Sequence, residues 1–195
     1  MHQALRDRQF WLVCLSYLTV FFVGNSVIIH IPPHVVDLKF SQAFAATLVA
    51  ASGASSIVGR LLMGFAADRI GTRRIFALSF ILLIIAMVWL LLATNAWQLW
   101  VFAIVYGLAN GGAFSIFSSV VAEYFGTKSH SVFLGVFIFV GSLGGAAGPL
   151  LTGHIYDVTN SYRMAFLLLL ALACVGFALL LISGKVRNHE TSPAR

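Results

Sequence analysis

The stretch GRLLMGFAADRIGTRR, residues 59 to 74, passes from the inside of a long apolar segment into a cluster of charged residues. Its first part carries Arg60, the one charged residue that does not lie near the end of a hydrophobic run. Its last part, from Asp68 to Arg74, carries an aspartate and three arginines. A short charged segment between two apolar runs is typical of two membrane-spanning helices joined by a tight loop.

The composition of the whole chain agrees with a membrane setting. Of the 195 residues, 60% are hydrophobic and 9% are charged, and the mean hydropathy is +0.96. A soluble domain has about a quarter of its residues charged. A helix needs about 20 apolar residues to cross the hydrocarbon of a bilayer. The sequence therefore predicts an integral membrane protein, in contact with the lipid bilayer and with room for six spans.

The apolar segments and their polar breaks locate these spans. They are predicted at residues 10–31, 43–67, 75–93, 96–121, 132–152 and 164–183, within a bundle of residues 10–184. Residues 1–9 form a polar N-terminal segment and residues 185–195 a polar tail. Pro32 and Pro33 are expected to end the first span, because proline cannot continue the backbone hydrogen-bond ladder. A loop is expected around residues 157–162. The fold class is thus an all-α membrane protein with one six-helix bundle and no soluble domain.

Basic residues are distributed unequally between the two sides of this bundle. The side that holds both termini carries Arg6, Arg8, Arg69, Arg73, Arg74, Lys128, Lys185, Arg187 and Arg195, and the other side carries Lys39 and Arg163. Lys and Arg are enriched in cytoplasmic loops, so nine against two predicts that both termini are cytoplasmic. The same pattern accounts for the net charge of +6, and no nucleic-acid partner is predicted.

Arg60 is predicted to lie inside the membrane. It precedes Asp68 by eight residues, or about 12 Å of helix. An arginine at such a depth costs about 2.5–3.5 kcal/mol on insertion scales unless it faces protein or water. Its neighbours on one helix face are Gly53, Ser56 and Gly64, so we expect it to face a packed or hydrated interior. Its guanidinium suits a carboxylate ligand. The alternative is a structural arginine that caps carbonyls or pairs with an acid elsewhere.

The charged end of the stretch forms the pattern GxxxDRxGxRR. Its fixed positions are Gly64, Asp68, Arg69, Gly71, Arg73 and Arg74. The two glycines would let the chain turn sharply between the second and third spans. A plain cytoplasmic loop would explain the arginines but not Asp68, because the dipole at a helix C-terminus disfavours a negative charge without a partner. Asp68 is expected to pair with one of the arginines or with the positive end of another helix.

Other polar residues inside the spans allow two interpretations. Asn25, His30, Tyr106 and Asn110 could line a substrate cavity, or could be hydrogen-bonded between packed helices. His30 and His34 are four residues apart, but Pro32 and Pro33 are expected to break the helix that would align them, so no metal site is predicted. The sequence has no HExxH, P-loop or GxSxG motif, so neither an enzyme nor a cofactor site is predicted.

With these motifs in view, the chain resembles the major facilitator superfamily of transporters. The loop pattern matches that superfamily's loop motif at every fixed position. The fifth span resembles its glycine-proline helix motif, with Thr152 in place of one glycine; the positions concerned are Gly135, Gly144, Gly148, Pro149, Thr152 and Gly153. The chain closely resembles the carboxyl-terminal half of the monocarboxylate and oxalate:formate branch, through residues 32–38, 56–60 and 148–157.

The resemblance implies an alternating-access transporter of a small organic anion, whose substrate site lies between two six-helix halves. It implies that Arg60 meets the substrate carboxylate, that Ser56 replaces an acid found in monocarboxylate members, and that Asp68 with Arg73 forms a conformational latch against the other half. It also implies a partner, either a second copy of the chain or a separate six-span chain. The alternative is a truncated or split-gene subunit with a structural or regulatory role and no transport by itself.

Overall fold

Seven α-helices make up the computed structural model of the protein, which describes residues 8–125 and 130–184. The helices are α1 (Arg8–Asp37), α2 (Gln42–Ile70), α3 (Thr72–Leu92), α4 (Ala96–Ser115), α5 (Phe117–Phe125), α6 (His130–Thr159) and α7 (Tyr162–Ile182). The predicted tail, most of the predicted N-terminal segment and Lys128 lie outside the described residues.

Five of these helices are long and apolar enough to cross a membrane: α1, α2, α3, α6 and α7. Together, α4 and α5, which meet at an angle of 42°, are also long and apolar enough to cross a membrane as one bent span, the fourth in chain order. The break lies at Ile116, whose φ and ψ of −94° and 0° end α4. The predicted fold class, six transmembrane helices in one bundle, is therefore confirmed, although the fourth span is bent rather than straight.

The expectation that Pro32 and Pro33 end the first span is wrong, because α1 continues through both prolines to Asp37. The prolines remove two backbone donors, but the helix beyond them is held by other contacts. The amide of Leu38 donates to the carbonyl of His34 at 3.1 Å, and Val35 is fully buried. These contacts offset the lost hydrogen bonds. His30 and His34 therefore share one helix face after all.

The chain turns between α2 and α3 at a single residue, Gly71. Its φ of +94° lies in the region that favours glycine, which explains why this position of the loop pattern needs one. The other glycine of the pattern, Gly64, does not form a turn, because it lies within α2. Arg73 and Arg74 likewise belong to the first turn of α3 rather than to a loop.

Close helix packing sets the layout of the bundle. α1 packs along α6 and α2 packs along α4, while α3 lies against α4 and α7. On α6, Gly144 and Gly148 face α1 so closely that an added Cβ would lie 2.5 Å from the carbonyl oxygens of Leu18 and Phe22. Small residues allow this approach between membrane helices.

Two details of α6 differ from the sequence prediction. The helix passes through Pro149 and ends at Thr159, so half of the loop expected at residues 157–162 belongs to α6, and α7 already begins at Tyr162. Gly135 is exposed, and nothing lies within 4 Å of a Cβ added there, so it is not a helix contact in this structure. Thr152, by contrast, is fully buried at its position in the glycine-proline motif.

Candidate functional site

Arg60 is an exposed cation in the middle part of α2. It lies ten residues before the end of the helix at Ile70, or about 15 Å along the axis. Its guanidinium carbon is 5.9 Å from the centre of the Phe114 ring on α4. This distance permits a cation–π interaction. Phe114 therefore stabilises the guanidinium but does not neutralise its charge. Arg60 forms no ion pair within residues 8–125 and 130–184.

The position of Arg60 follows from how α2 packs on α4. Ser52, Ser56 and Gly59 are buried on one face of α2 and meet the backbone of α4. A Cβ added to Gly111 of α4 would overlap the carbonyl oxygen of Ser56, and a Cβ added to Gly59 would lie 2.6 Å from the carbonyl oxygen of Leu108. This contact holds Arg60 at the edge of the buried face. Ser56 is 8% exposed and belongs mainly to the contact.

The space beside Arg60 is open along the helix axis. Gly53 and Gly64 lie seven residues before it and four residues after it, on the same flank of α2. Nothing lies within 4 Å of a Cβ added at either glycine. The expected stripe of small residues is therefore divided, because Ser56 packs against α4 while the two glycines leave room next to the guanidinium.

Aromatic and amide groups of α1 continue this site. The Phe21 ring lies 4.9 Å from the Phe114 ring, between centroids. One turn further along α1, the Asn25 side-chain amide donates to the carbonyl of Phe21 at 3.0 Å. The same amide nitrogen lies 2.9 Å from a Cβ added to Gly145 of α6. We call the surface formed by Phe21, Asn25, Arg60, Phe114 and Gly145 the Arg60 face; it joins α1, α2, α4 and α6.

The other residues predicted to bind substrate lie elsewhere or are already bonded. Tyr106 is buried, and its hydroxyl donates to the carbonyl of Gly24 at 2.7 Å, so the packing interpretation describes it in this structure. Asn110 is half-buried between α4 and α1, with its amide oxygen 2.9 Å from a Cβ added to Gly24. His30 lies nearer the end of α1, where Nε2 is 3.0 Å from the carbonyl oxygen of Pro149. That oxygen can only accept, so Nε2 carries the proton.

The charged residues of the loop pattern differ in burial: one packs against α7 and the others are exposed. The Nη2 of Arg73 donates to the carbonyls of Leu180 and Leu181, at 3.2 and 3.0 Å, in the last turn of α7. Asp68, Arg69 and Arg74 are exposed, and none of them forms an ion pair in the described part of the chain. The expected pairing of Asp68 with Arg73 is therefore not seen here. Arg73 stabilises the negative end of the α7 dipole instead.

Among the described residues, no group of three or more His, Cys, Asp or Glu side chains could hold a metal ion. His30 and His34 do share a face of α1, but both of their rings pack on Tyr162, with centroids 5.6 Å apart in each case.

Sequence reasoning missed Phe21 and Phe114. Each lies four residues from a polar residue that was predicted, since Phe21 precedes Asn25 on α1 and Phe114 follows Asn110 on α4. Residues four apart share a helix face. That spacing was the available signal, but only the packing of α1 against α4 shows that the two rings meet.

Comparison with known proteins agrees with this architecture. The model of the Major Facilitator Superfamily matches residues 13–195. Monocarboxylate transporter 7 of Homo sapiens is 31% identical over 204 aligned residues, covering 98% of this chain and 38% of that protein. Monocarboxylate transporter 13 of Rattus norvegicus is 28% identical over 155 residues, covering 78% and 36%. The uncharacterized MFS-type transporter YcxA of Bacillus subtilis is 27% identical over 186 residues, covering 87% and 44%.

Solved structures show the same fold. The transporter FucP in its outward conformation superposes with a TM-score of 0.78 at 14% identity, over 95% of this chain and 45% of that one. A crystal structure of the peptide transporter POT gives a TM-score of 0.75 at 18% identity, over 89% and 37%. The chain thus spans less than half the length of the relatives it matches. Family and fold point to a transporter rather than an enzyme. The chain is a multi-pass integral membrane protein, and it belongs to the major facilitator superfamily.

Proposed function

We propose that the chain is one six-helix half of a secondary transporter that moves a small organic anion by alternating access, and that Arg60 binds the carboxylate of that anion. The observation that carries the proposal is the exposed guanidinium of Arg60 near the middle of α2, with Phe114 beside it and no acidic partner in the described part of the chain. An unpaired charge at this depth is costly unless a ligand, water or another protein surface covers it.

The surroundings of Arg60 favour a singly charged anion over a dianion. The planar guanidinium can donate two parallel hydrogen bonds to one carboxylate. The rest of the Arg60 face offers two phenyl rings, one amide and a glycine, so a second carboxylate of the substrate would lie against apolar surface. A monocarboxylate with a short apolar tail fits better than a small dicarboxylate. The resemblance to monocarboxylate transporters supports the same class.

A second six-helix half is part of the proposal. It would close the Arg60 face and meet Asp68, Arg69 and Arg74, which are exposed at the Gly71 end of the bundle. A second copy of the chain, a separate chain or further sequence of a longer protein could supply it. The latch is proposed to involve Asp68 without Arg73, because Arg73 is engaged by α7.

The proposed location is a bacterial inner membrane with both chain termini in the cytoplasm. The support for this orientation is the distribution of basic residues: Arg8, Arg69 and Arg74 lie at the end of the bundle that holds the α2–α3 turn, and Lys39 and Arg163 lie at the opposite end.

The test of the anion site is transport by the reconstituted assembly that contains this chain, with lactate, formate and oxalate as substrates. Arg60→Gln should lower uptake at limiting substrate by at least about tenfold, since a charged hydrogen bond contributes about 1.5–3 kcal/mol. Arg60→Lys should retain part of the uptake, because it keeps the positive charge. It should not retain all of it, because lysine cannot donate the two parallel hydrogen bonds of a guanidinium. Arg8→Gln is the control, because Arg8 is an exposed arginine at the start of α1 and is not part of the Arg60 face. Unchanged uptake in Arg60→Gln would remove Arg60 from the site.

The alternative function is a membrane subunit with a structural or regulatory role. The observation in its favour is the same uncovered Arg60 face, which a different membrane protein could cover. Crosslinking in membranes, followed by mass measurement, distinguishes the two. A six-helix partner together with anion uptake supports the transporter. A partner of another kind, in an assembly that moves no anion, supports the subunit.

A further inference from the structure

A cavity lined by apolar residues and by a few charged and polar ones lies at the end of the bundle opposite the α2–α3 turn. Its volume is about 460 Å³, within the range of ligand sites. It lies between the C-terminal ends of α1 and α3 and the N-terminal end of α7, and it is open on one side. None of the residues of the Arg60 face lines it. The cavity is therefore separate from the anion site, and its role does not depend on that site.

Two opposite charges line this cavity without pairing. They are the carboxylate of Asp37, at the end of α1, and the guanidinium of Arg163, in the first turn of α7. No ion pair joins them, or joins either of them to another residue, in the described part of the chain. One oxygen of Asp37 accepts a hydrogen bond from the hydroxyl of Tyr156 at 2.9 Å. The other oxygen remains available, so the cavity presents an acceptor and a cation to one ligand.

The cavity lies at the level of lipid headgroups. α3 and α7 have 21 residues each, or about 32 Å of helix, close to the thickness of the hydrocarbon. The ends of both helices, where the cavity lies, therefore reach the membrane–water interface. Its inner wall is apolar, with Leu90 and Phe166 each 1% exposed. Leu92, which also lines it, is 69% exposed and would lie beside acyl chains.

We propose that this cavity binds the headgroup of an ethanolamine phospholipid. The primary ammonium would donate to Asp37, and the phosphate would bind Arg163 and the amino end of α7. An anionic headgroup would satisfy Arg163 but would be repelled by Asp37. A choline headgroup has no N–H to donate and is recognised by open aromatic faces. Here Tyr162 stacks on Tyr156 at 4.2 Å and on Phe166 at 5.6 Å, so its ring faces are occupied.

Lipid retention by the purified protein, with any partner chain it keeps, tests the proposal. The protein is placed in nanodiscs of equal phosphatidylethanolamine, phosphatidylcholine and phosphatidylglycerol, and the lipids that remain bound on transfer to detergent are measured by native mass spectrometry. Phosphatidylethanolamine should be enriched about three- to fivefold over the other two lipids, the size expected of partly exposed charge pairs. Asp37→Asn and Arg163→Gln should each bring the enrichment close to one.

Matched controls come from the same end of the bundle. Asp157 and Lys39 are exposed and do not line the cavity, so Asp157→Asn and Lys39→Gln should retain the enrichment. Equal retention of the three lipids by the unaltered protein would overturn the proposal without any variant. A preference for phosphatidylglycerol would also overturn it. Free phosphoethanolamine that displaces the lipid at equal concentration would identify a site for a soluble zwitterion instead.

Discussion

Replacement of Arg73 by glutamine should destabilise the bundle, because it removes the contact between α3 and the end of α7. Arg73 donates to two carbonyls of the last turn of α7, at 3.2 and 3.0 Å. Buried charge-assisted hydrogen bonds contribute about 1.5–3 kcal/mol each, and a charge at a helix end about 0.3–1 kcal/mol. Arg73 is half-buried, so hydrogen bonds to water compensate for part of this free energy. We expect a loss of about 1–2 kcal/mol, or a Tm lower by about 3–6 °C.

The assay can use the protein's own thiols. Cys14 is fully buried and becomes reactive only on unfolding, whereas Cys174 is exposed and is first replaced by alanine. A thiol-reactive fluorophore then reports the melting of each variant in detergent. Arg74→Gln is the control, because Arg74 is adjacent, exposed and without a hydrogen bond or ion pair in the described residues. Arg73→Lys should lose less than Arg73→Gln, since one ammonium can still donate. Equal shifts for Arg73→Gln and Arg74→Gln would refute the assignment.

Three further outcomes test the packing of the bundle. Gly111→Val should cost about 1–3 kcal/mol or more in the same assay, because its side chain would overlap the backbone of α2, whereas Gly53→Val, where the structure is open, should cost far less. Tyr106→Phe should cost about 0.5–1.5 kcal/mol by loss of one buried hydrogen bond. A loss of anion uptake without a loss of stability would instead place Tyr106 in the binding site. In the folded protein, Cys174, which is exposed on α7, should react with a membrane-permeant maleimide faster than Cys14, which is buried.

The number of spans and the position of Arg60 within α2 could be predicted because each depends on a local property. A bilayer fixes the length of an apolar segment, so hydropathy alone separates the spans. The distance of Arg60 from the charged end of α2 follows from the rise of the helix. Neither inference needs a tertiary contact.

The end of α1 could not be predicted from the prolines alone. Pro32 and Pro33 oppose a helix locally, and the sequence indicates a stop. Beyond them, however, the buried Val35 and the packing of His34 against Phe166, with ring centroids 4.9 Å apart, hold the next turn in place. Tertiary contacts outweigh the local cost, and their presence depends on α7, which lies more than 120 residues further along the chain.

The candidate site was predictable only in part for a similar reason. Arg60 stands out by its charge, but Phe114 is one of 17 phenylalanines and has no distinguishing local pattern. Likewise, the loop pattern identifies Arg73 as a residue of interest but does not predict which group Arg73 contacts. Leu180 and Leu181 are apolar in sequence, and they become partners of Arg73 through their backbone carbonyls alone.

The single-residue connection at Gly71 has a mechanical consequence. Two helices joined by one residue have no flexible loop between them, so a tilt or shift of α2 must move the start of α3 with it. Arg73, two residues later, extends this constraint to the end of α7. The helix that carries Arg60 is therefore tied to the far side of the bundle at one end. We expect the six spans to move as one rigid body, about an axis that lies outside the Arg60 face.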